Sequence, residues 1–256
     1  MGFVGATITD LSPSVCKMAH KSMESFLKFH NTKLIVYIIG DRELQIHDTR
    51  IEIVRLPKLQ YNLKNIDVSV DSYFKEISDI LVEKLLCFTR HNNCIFFEND
   101  VFFVDKMDDI WESLQDGIHG HPCTYGVLER THGVYGINTG LVFIKNYQLT
   151  YTLTDIVKYF DENKARWIDE EFLTNWINVD DIHHLSPEIT VVQDNCIYRY
   201  KSIPVNTKSI HFTGHPKIYG DVALYRSKVF DKSYCSSQML RLSAYLRHKI
   251  YEILGK

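Results

Sequence analysis

Short apolar runs of strand length alternate along this chain with longer segments in which apolar residues recur at helical spacing. The run Leu34–Ile39 consists only of aliphatic and aromatic residues, and Cys94–Phe97 is equally apolar. Such runs are typical of parallel strands that are buried on both faces of a sheet. Strands that alternate with helices in this way build α/β domains. The sequence therefore predicts an α/β fold, with helices flanking a sheet that contains parallel strands.

The predicted elements alternate over most of the chain. Strands are predicted at residues 2–9, 34–39, 51–56, 94–97, 101–104, 137–144, 189–192, 197–200 and 209–212. Helices are predicted at about residues 12–29, 72–90, 151–163, 169–177 and 236–254. Residues 117–136 are rich in glycine and histidine and lack periodicity, which predicts a loop that closes over a ligand or shapes its pocket. Because no linker rich in Pro, Gly or Ser interrupts the chain, we expect a single domain over residues 1–256.

Charge and hydropathy argue against several classes of function. The formal net charge of −3 gives no general electrostatic attraction to nucleic acid. No apolar run reaches the ~20 residues that a helix needs to cross a bilayer. The N-terminus has no basic region ahead of its apolar stretch, so it does not resemble a secretory signal. We therefore expect a soluble, cytoplasmic protein with no nucleic-acid partner.

The C-terminal segment carries a local excess of positive charge. From Lys217 onward, eight Lys and Arg residues stand against three acidic residues. The helix predicted at about residues 236–254 is amphipathic, which suits either a docked helix with a solvated basic face or a helix on an anionic membrane surface. Both hypotheses stay open, and the second predicts peripheral contact with a membrane.

Two carboxylates follow directly after a wholly apolar predicted strand. They belong to Glu98 and Asp100, which flank Asn99. The carboxyl ends of parallel strands form the edge at which α/β folds bind ligands, and two carboxylates there could converge on one divalent cation. The alternative is a polar turn with solvated acidic side chains, which the spacing alone does not exclude.

A histidine and a lysine occur together near the last predicted strand. The segment Ser209–Lys217 places His211 at the end of that strand and Lys217 after a glycine turn. Imidazole could complete a metal site with the two carboxylates, and the lysine could bring positive charge to a phosphate. Alternatively, His211 is an ordinary, partly buried histidine.

Two further polar groups begin predicted elements. Asn138, Thr139 and Gly140 open the strand at 137–144, where an amide and a bare backbone could contact sugar hydroxyls. Three acidic residues start the helix predicted at 169–177: Asp169, Glu170 and Glu171. The alternatives are simple turn chemistry for the first group, and for the second a favourable interaction with the helix dipole.

Taken in order, these motifs resemble those of GT-A-fold glycosyltransferases, most of all family 8, which includes glycogenin and bacterial lipopolysaccharide galactosyltransferases. Ile95–Asp100 stands where that family has its DxD motif, and Ile137–Gly140 resembles its Asn-x-Gly strand opening. Asp169–Leu173 resembles its Asp-Gln-Asp-x-Leu segment, and His211–Lys217 resembles its His-x-x-Gly-x-x-Lys motif. The resemblance extends from residue 3 to about residue 219.

The resemblance implies a mixed, mostly parallel sheet and a metal-dependent transfer of sugar from a UDP-linked donor to a glycan, glycolipid or glycoprotein. It implies Mn²⁺ or Mg²⁺ held by Glu98, Asp100 and His211. It implies catalytic carboxylates among Asp169, Glu170 and Glu171. The residues that it implies for nucleotide and donor binding are Thr7, Thr9, Asp10, Lys84, Asn99, Asn138, Thr139, Gly140, Gly214 and Lys217.

Two residues depart from the family pattern. Glu98 replaces the first Asp of the DxD motif, which lengthens that side chain by one methylene. Glu170 replaces a Gln. Family 8 enzymes retain the anomeric configuration of the donor sugar, so the resemblance implies retention. A carboxylate at Glu170 or Glu171 could instead act as the general base of an inverting enzyme.

Other functions fit the sequence less well or replace catalysis by binding. A nucleotidyltransferase usually carries a basic, glycine-rich loop after its first strand, and residues 6–14 contain no Gly, Lys or Arg. A catalytically inactive GT-A-like module that binds glycans or nucleotides remains the alternative to the enzyme. The pairs His119/His121 and His183/His184 could form a second metal site, but exposed loop histidines are commoner than metal ligands and are the favoured interpretation.

Overall fold

The computed structural model describes residues 2–61, 63, 78–122, 136–163, 168–186, 188–192 and 205–212. In this part of the chain, no helix is long and apolar enough to cross a membrane. The elements predicted at 197–200 and 236–254 lie outside the described residues, as does the first part of the helix predicted from residue 72.

A mixed sheet of seven strands forms the centre of the structure. Its strands are β1 (Val4–Thr9), β2 (Leu34–Ile39), β3 (Ile51–Leu56), β4 (Asn93–Phe97), β6 (Gly117–Pro122), β7 (Ile137–Lys145) and β8 (Ile182–His184). Their order is β3-β2-β1-β4-β7-β6-β8. Strands β1 to β4 run parallel, β7 runs antiparallel to β4 and β6, and β8 runs parallel to β6. The C-terminal ends of β1 to β4 therefore meet the start of β7 at one edge, which we call the carboxyl edge.

A second, three-stranded sheet lies next to the carboxyl edge. It contains β5 (Val101–Phe103), β9 (Thr190–Val192) and β10 (Ser209–His211), with β10 in the middle. Strand β10 pairs antiparallel with β5 and places His211 opposite Val101. Since only three residues separate β4 from β5, this pairing brings a segment that is distant in sequence to the end of β4.

Five α-helices are described: α1 (Pro13–Phe29), α2 (Ser78–Phe88), α3 (Asp108–Ser113), α4 (Leu153–Glu162) and α5 (Ile168–Trp176). A short 3₁₀ helix covers Val179–Asp181. Pro13 lies in the first turn of α1, where its missing N–H costs no hydrogen bond. Helix α4 begins with a capping box, in which Thr152 and Asp155 satisfy each other's backbone N–H groups.

Alternate residues of the central strands face two separate hydrophobic clusters. Val36 packs with the α1 residues Met23 and Phe26 on one side of the sheet. Tyr37 packs on the other side, in the cluster that contains residues of α2, α4 and α5. This alternation follows from the period of two in a strand, and it explains why β2 is apolar throughout. The α/β prediction is confirmed.

The structure corrects the sequence interpretation at three places. Residues 117–122 form strand β6 and not a loop, because hydrogen bonds to β7 on one side and β8 on the other fix an extended backbone. The short strand β8 and the six-residue helix α3 were not predicted. Each is too short to show a periodicity, so its conformation depends on its neighbours.

Candidate metal centre at the carboxyl edge

The segment Glu98-Asn99-Asp100, with its two acidic side chains, forms a turn between β4 and β5. The N–H of Val101 donates to the carbonyl oxygen of Glu98 at 3.1 Å, which closes the turn. Two neighbouring segments fix its backbone: the Glu98 N–H donates to the Gly140 carbonyl at 2.8 Å, and the Phe212 N–H donates to the Asp100 carbonyl at 2.9 Å. We call residues 98–101 the acidic turn.

His211 lies beside both carboxylates of the acidic turn. Its Nε2 is 3.3 Å from Asp100 Oδ1 and 3.4 Å from Glu98 Oε2. One ligand atom from each of the three residues lies within 4.8 Å of the others. Asp100 and His211 are buried, whereas about a third of the Glu98 side chain is exposed. The three side chains therefore form a partly open cluster of two carboxylates and one imidazole.

Electrostatics shows how strongly these groups interact. Burial acts to lower the pKa of the His211 imidazole, but Asp100 and Glu98 outweigh it and raise the pKa to about 9. Burial acts to raise the pKa of Glu98, but Lys84 and His211 outweigh it and hold that pKa well below its usual range. The two carboxylates therefore favour the protonated form of the His211 imidazole.

Gly140 gives His211 the space that it occupies. A Cβ atom at position 140 would lie 2.0 Å from His211 Cε1 and 2.6 Å from each ring nitrogen. Non-bonded carbon atoms at their optimal separation are about 3.5–4.0 Å apart, so any side chain at this position would displace the imidazole. The glycine of the Asn138-Thr139-Gly140 motif thus has a steric role next to the cluster.

Lys84, on α2, is buried between two carboxylates. Its Nζ lies 2.6 Å from Glu98 Oε1 and 2.6 Å from Asp169 Oδ2, and only 1% of its side chain is exposed. Burial acts to lower the pKa of Lys84, but Asp169 and Glu98 hold it above its ordinary value. The structure therefore places Lys84 as a charged bridge from the acidic turn to the start of α5.

The polar residues that open β7 contact the acidic residues that begin α5. Thr139 Oγ1 donates to Asp169 Oδ2 at 2.6 Å, and Asn138 Nδ2 donates to Glu170 Oε1 at 2.6 Å. The Asn138 amide is itself oriented by the Gly140 N–H, which donates to Asn138 Oδ1 at 3.1 Å. The structure thus brings the predicted residues of β7 and α5 together with Lys84 and the acidic turn.

Glu171 acts electrostatically on a residue of α4. Burial, together with the negative charge of Glu171, raises the pKa of Tyr159 on α4 to about 12. Asn175 Nδ2 contacts both the Glu171 carbonyl oxygen and the Tyr159 hydroxyl. Glu171 is therefore associated with α4, whereas Asp169 and Glu170 face β7.

Of the residues at the end of β1 that are predicted to bind the nucleotide, two form turn hydrogen bonds and one has a buried hydroxyl group. Thr9 Oγ1 accepts from the Leu11 N–H at 3.1 Å, and Asp10 Oδ1 accepts from the Ser12 N–H at 3.0 Å. These bonds hold Leu11 at a φ of 49°, a conformation that L-residues seldom adopt. Thr7 Oγ1 is buried and has no hydrogen-bond partner among the described residues.

Asn99, like Thr7, has a buried polar atom without a partner: its Oδ1 makes no hydrogen bond among the described residues. Gly214 and Lys217 lie outside the described residues. The ring centroids of His119 and His183 lie 4.7 Å apart, with the ring planes tilted by 44°, and each histidine contacts Gln115. Over the described ranges, only Glu98, Asp100 and His211 form a three-ligand group, so no second metal site is found there.

Known structures share this architecture. The chain matches the galactosyltransferase LgtC, solved with donor and acceptor sugar analogues, with a TM-score of 0.59 and 14% identity over 93% of this chain and 96% of that one. This chain has a GT-A fold. The GT-A architecture is also that of the glycosyltransferase GlyE of Streptococcus pneumoniae TIGR4 (TM-score 0.57, 11% identity, 86% of this chain and 57% of that one).

A third structure with this architecture is mouse xyloside xylosyltransferase 1 (TM-score 0.52, 9% identity, 84% of this chain and 98% of that one). No protein-family model matches the sequence, and no curated protein is significantly similar to it. The likeness to these enzymes is therefore one of GT-A fold, carried by the arrangement of strands and helices more than by identical residues.

Proposed function

We propose that this protein is a metal-dependent glycosyltransferase of the family 8 type, which transfers a sugar from a UDP-linked donor with retention of configuration. The observation that carries the proposal is the cluster of Glu98, Asp100 and His211 at the carboxyl edge of a GT-A sheet. The three solved structures described above are all named as glycosyltransferases, and one was crystallised with donor and acceptor sugar analogues.

The chemistry of the cluster fits a divalent cation. Carboxylate oxygens suit Mg²⁺ and Mn²⁺ equally, but a histidine nitrogen favours Mn²⁺, since Mg²⁺ prefers an all-oxygen shell. Glu98, Asp100 and His211 would hold the ion, with Oε1 of Glu98 in contact with Lys84 and Oε2 on the side of His211. When bound, the cation supplies positive charge that stabilises the diphosphate of the departing UDP.

The remaining polar residues would orient the donor. Asp169 accepts hydrogen bonds from Lys84 and Thr139, which fix its carboxylate in position for hydrogen bonds to sugar hydroxyls. Glu170 is held by Asn138 at the same edge and is the carboxylate that we assign to the reacting face of the sugar. Gly214 and Lys217 would contact the diphosphate, and Thr7, Thr9, Asp10 and Asn99 would surround the nucleoside.

The proposal extends to the setting of the reaction. The acceptor would be a glycan, glycolipid or glycoprotein, bound by a single-domain protein in the cytoplasm. The basic segment at 236–254 would bring the protein to an anionic membrane surface when the acceptor is lipid-linked. Family resemblance and the charge of the sequence support this part of the proposal.

Incubation of the chain with Mn²⁺ and a panel of UDP-sugars tests the proposal. We expect slow, Mn²⁺-dependent release of UDP from one donor, with water or an added oligosaccharide as acceptor. Proton NMR of the product should show the same anomeric configuration as in the donor. A product of opposite configuration would replace retention by inversion, with Glu170 as the base. Intact donors in every reaction, with Mn²⁺ or Mg²⁺, would contradict the enzyme and favour the inactive binding module.

A further inference from the structure

Ser22 places a hydroxyl group on the apolar face of α1. Its neighbours on that face, Ala19, Met23 and Phe26, are completely buried, and Ser22 is buried to the same extent. A hydroxyl group in such surroundings is unfavourable unless it makes a hydrogen bond. The hydrogen-bond acceptors of the Ser22 hydroxyl therefore indicate what this residue does in the structure.

The Ser22 hydroxyl contacts the carbonyl groups at both ends of the acidic turn. Its Oγ lies 2.6 Å from the Val101 oxygen and 3.2 Å from the Glu98 oxygen. One hydroxyl proton is shared between two acceptors, with the shorter contact to Val101. Because Glu98 and Val101 are also joined by the hydrogen bond that closes the turn, Ser22 ties the closed turn to a long helix.

This attachment completes the fixation of the acidic turn. The Gly140 carbonyl holds it from β7, and the Phe212 N–H holds it from the segment that follows His211. These two contacts are made by backbone groups, whereas α1 contributes a side chain. With all three in place, the carboxylates of Glu98 and Asp100 have fixed starting points on the side of the turn that faces His211.

Ser25, one turn later on α1, makes different hydrogen bonds. Its Oγ donates to the Ser22 carbonyl oxygen at 2.6 Å and accepts from the Phe103 N–H at 3.0 Å. It therefore joins α1 to β5 without contacting the acidic turn. The two serines have the same chemistry on the same helix, and only Ser22 touches the turn.

We infer that Ser22 is a positioning residue for the metal centre, which holds the acidic turn in the geometry that lets Glu98 and Asp100 share a cation with His211. The inference rests on the proposed function, since it assigns Ser22 to the metal of that same site. Groups that orient metal ligands without contacting the metal typically change its affinity about 10–100-fold when they are removed.

The test compares Ser22→Ala with Ser25→Ala in the full chain. Mn²⁺ is titrated calorimetrically in the presence of UDP, and thermal unfolding of each variant is recorded in parallel. We expect Ser22→Ala to weaken Mn²⁺ binding about tenfold and Ser25→Ala to leave it within about twofold. Amide hydrogen exchange at Val101, which needs no metal, should accelerate in Ser22→Ala alone, and Ser22→Thr, which keeps the hydroxyl, should restore much of the Mn²⁺ affinity.

Wild-type Mn²⁺ affinity in Ser22→Ala would overturn the inference, even if that variant unfolds at a lower temperature. Equal weakening by the two alanine variants would also overturn it, because the effect would then come from a general loosening of α1. If the wild-type chain binds no Mn²⁺, the proposed function itself fails, and this result is distinct from the other two.

Discussion

Replacing Lys84 by methionine is expected to lower the free energy of unfolding by about 3–5 kcal/mol, which is the usual cost of removing one partner from a buried ion pair. Methionine fills most of the same volume but leaves the carboxylates of Glu98 and Asp169 without the ammonium group that lies between them. Asp169 should contribute most of the loss, since only 9% of its side chain is exposed, against 31% for Glu98. Guanidinium unfolding followed by circular dichroism measures the change.

Lys208 provides the matched control. Its Nζ also bridges two carboxylates, at 2.9 Å from Asp105 and 3.2 Å from Asp109, but both carboxylates are more than half exposed. Lys208→Met should therefore cost only about 0–1 kcal/mol. The double variant Lys84→Met/Asp169→Asn removes the more deeply buried of the two uncompensated charges and should recover part of the stability. A loss in Lys84→Met as small as that in Lys208→Met would show that Lys84 is not a buried bridge.

Replacing Gly140 by alanine is expected to weaken Mn²⁺ binding about a hundredfold or more, because the new methyl group would occupy the position of the His211 ring. Gly140 cannot retreat easily, since its carbonyl accepts the Glu98 N–H within the sheet. The imidazole must therefore turn away from Glu98 and Asp100. Calorimetric titration of Mn²⁺ in the presence of UDP measures the loss.

Gly5→Ala separates this effect from a general steric disturbance. A Cβ at Gly5 would lie 2.4 Å from the Phe26 ring, so it also forces an aromatic side chain to move, but in the core under α1. We expect Gly5→Ala to lower the free energy of unfolding by about 1–3 kcal/mol and to leave Mn²⁺ affinity unchanged. Tight Mn²⁺ binding by Gly140→Ala would remove His211 from the proposed ligand set.

The sequence predicts the central strands well because their signal is local. The predicted bounds of the strands at 34–39 and 51–56 are those of β2 and β3, since an apolar or alternating run ends there at Gly40 or Pro57. Strand β6 could not be predicted in this way. Its sequence, Gly-Ile-His-Gly-His-Pro, has no alternation of apolar and polar residues, and its extended form depends on pairing with β7 and β8.

For the candidate site, the sequence predicts which residue types could bind metal, and the structure shows that Glu98, Asp100 and His211 lie together. The supporting contacts depend on chain segments that are far apart, such as Lys84 with Asp169 and Ser22 with Val101. The sequence does contain a local signal for Lys84 and Ser22. Each is a polar residue on the apolar face of a helix, and such a residue needs a buried partner whose identity only the fold reveals.

Calorimetric binding of UDP with and without Mn²⁺ tests the central claim most directly, when it is repeated on Asp100→Ala and His211→Ala. We expect the wild-type chain to bind UDP in the micromolar range only when Mn²⁺ is present, and we expect no detectable binding by either variant. GDP and CMP should bind more weakly than UDP. Absence of nucleotide binding by the wild-type chain under any metal condition, or metal-dependent binding that survives both substitutions, would contradict the account.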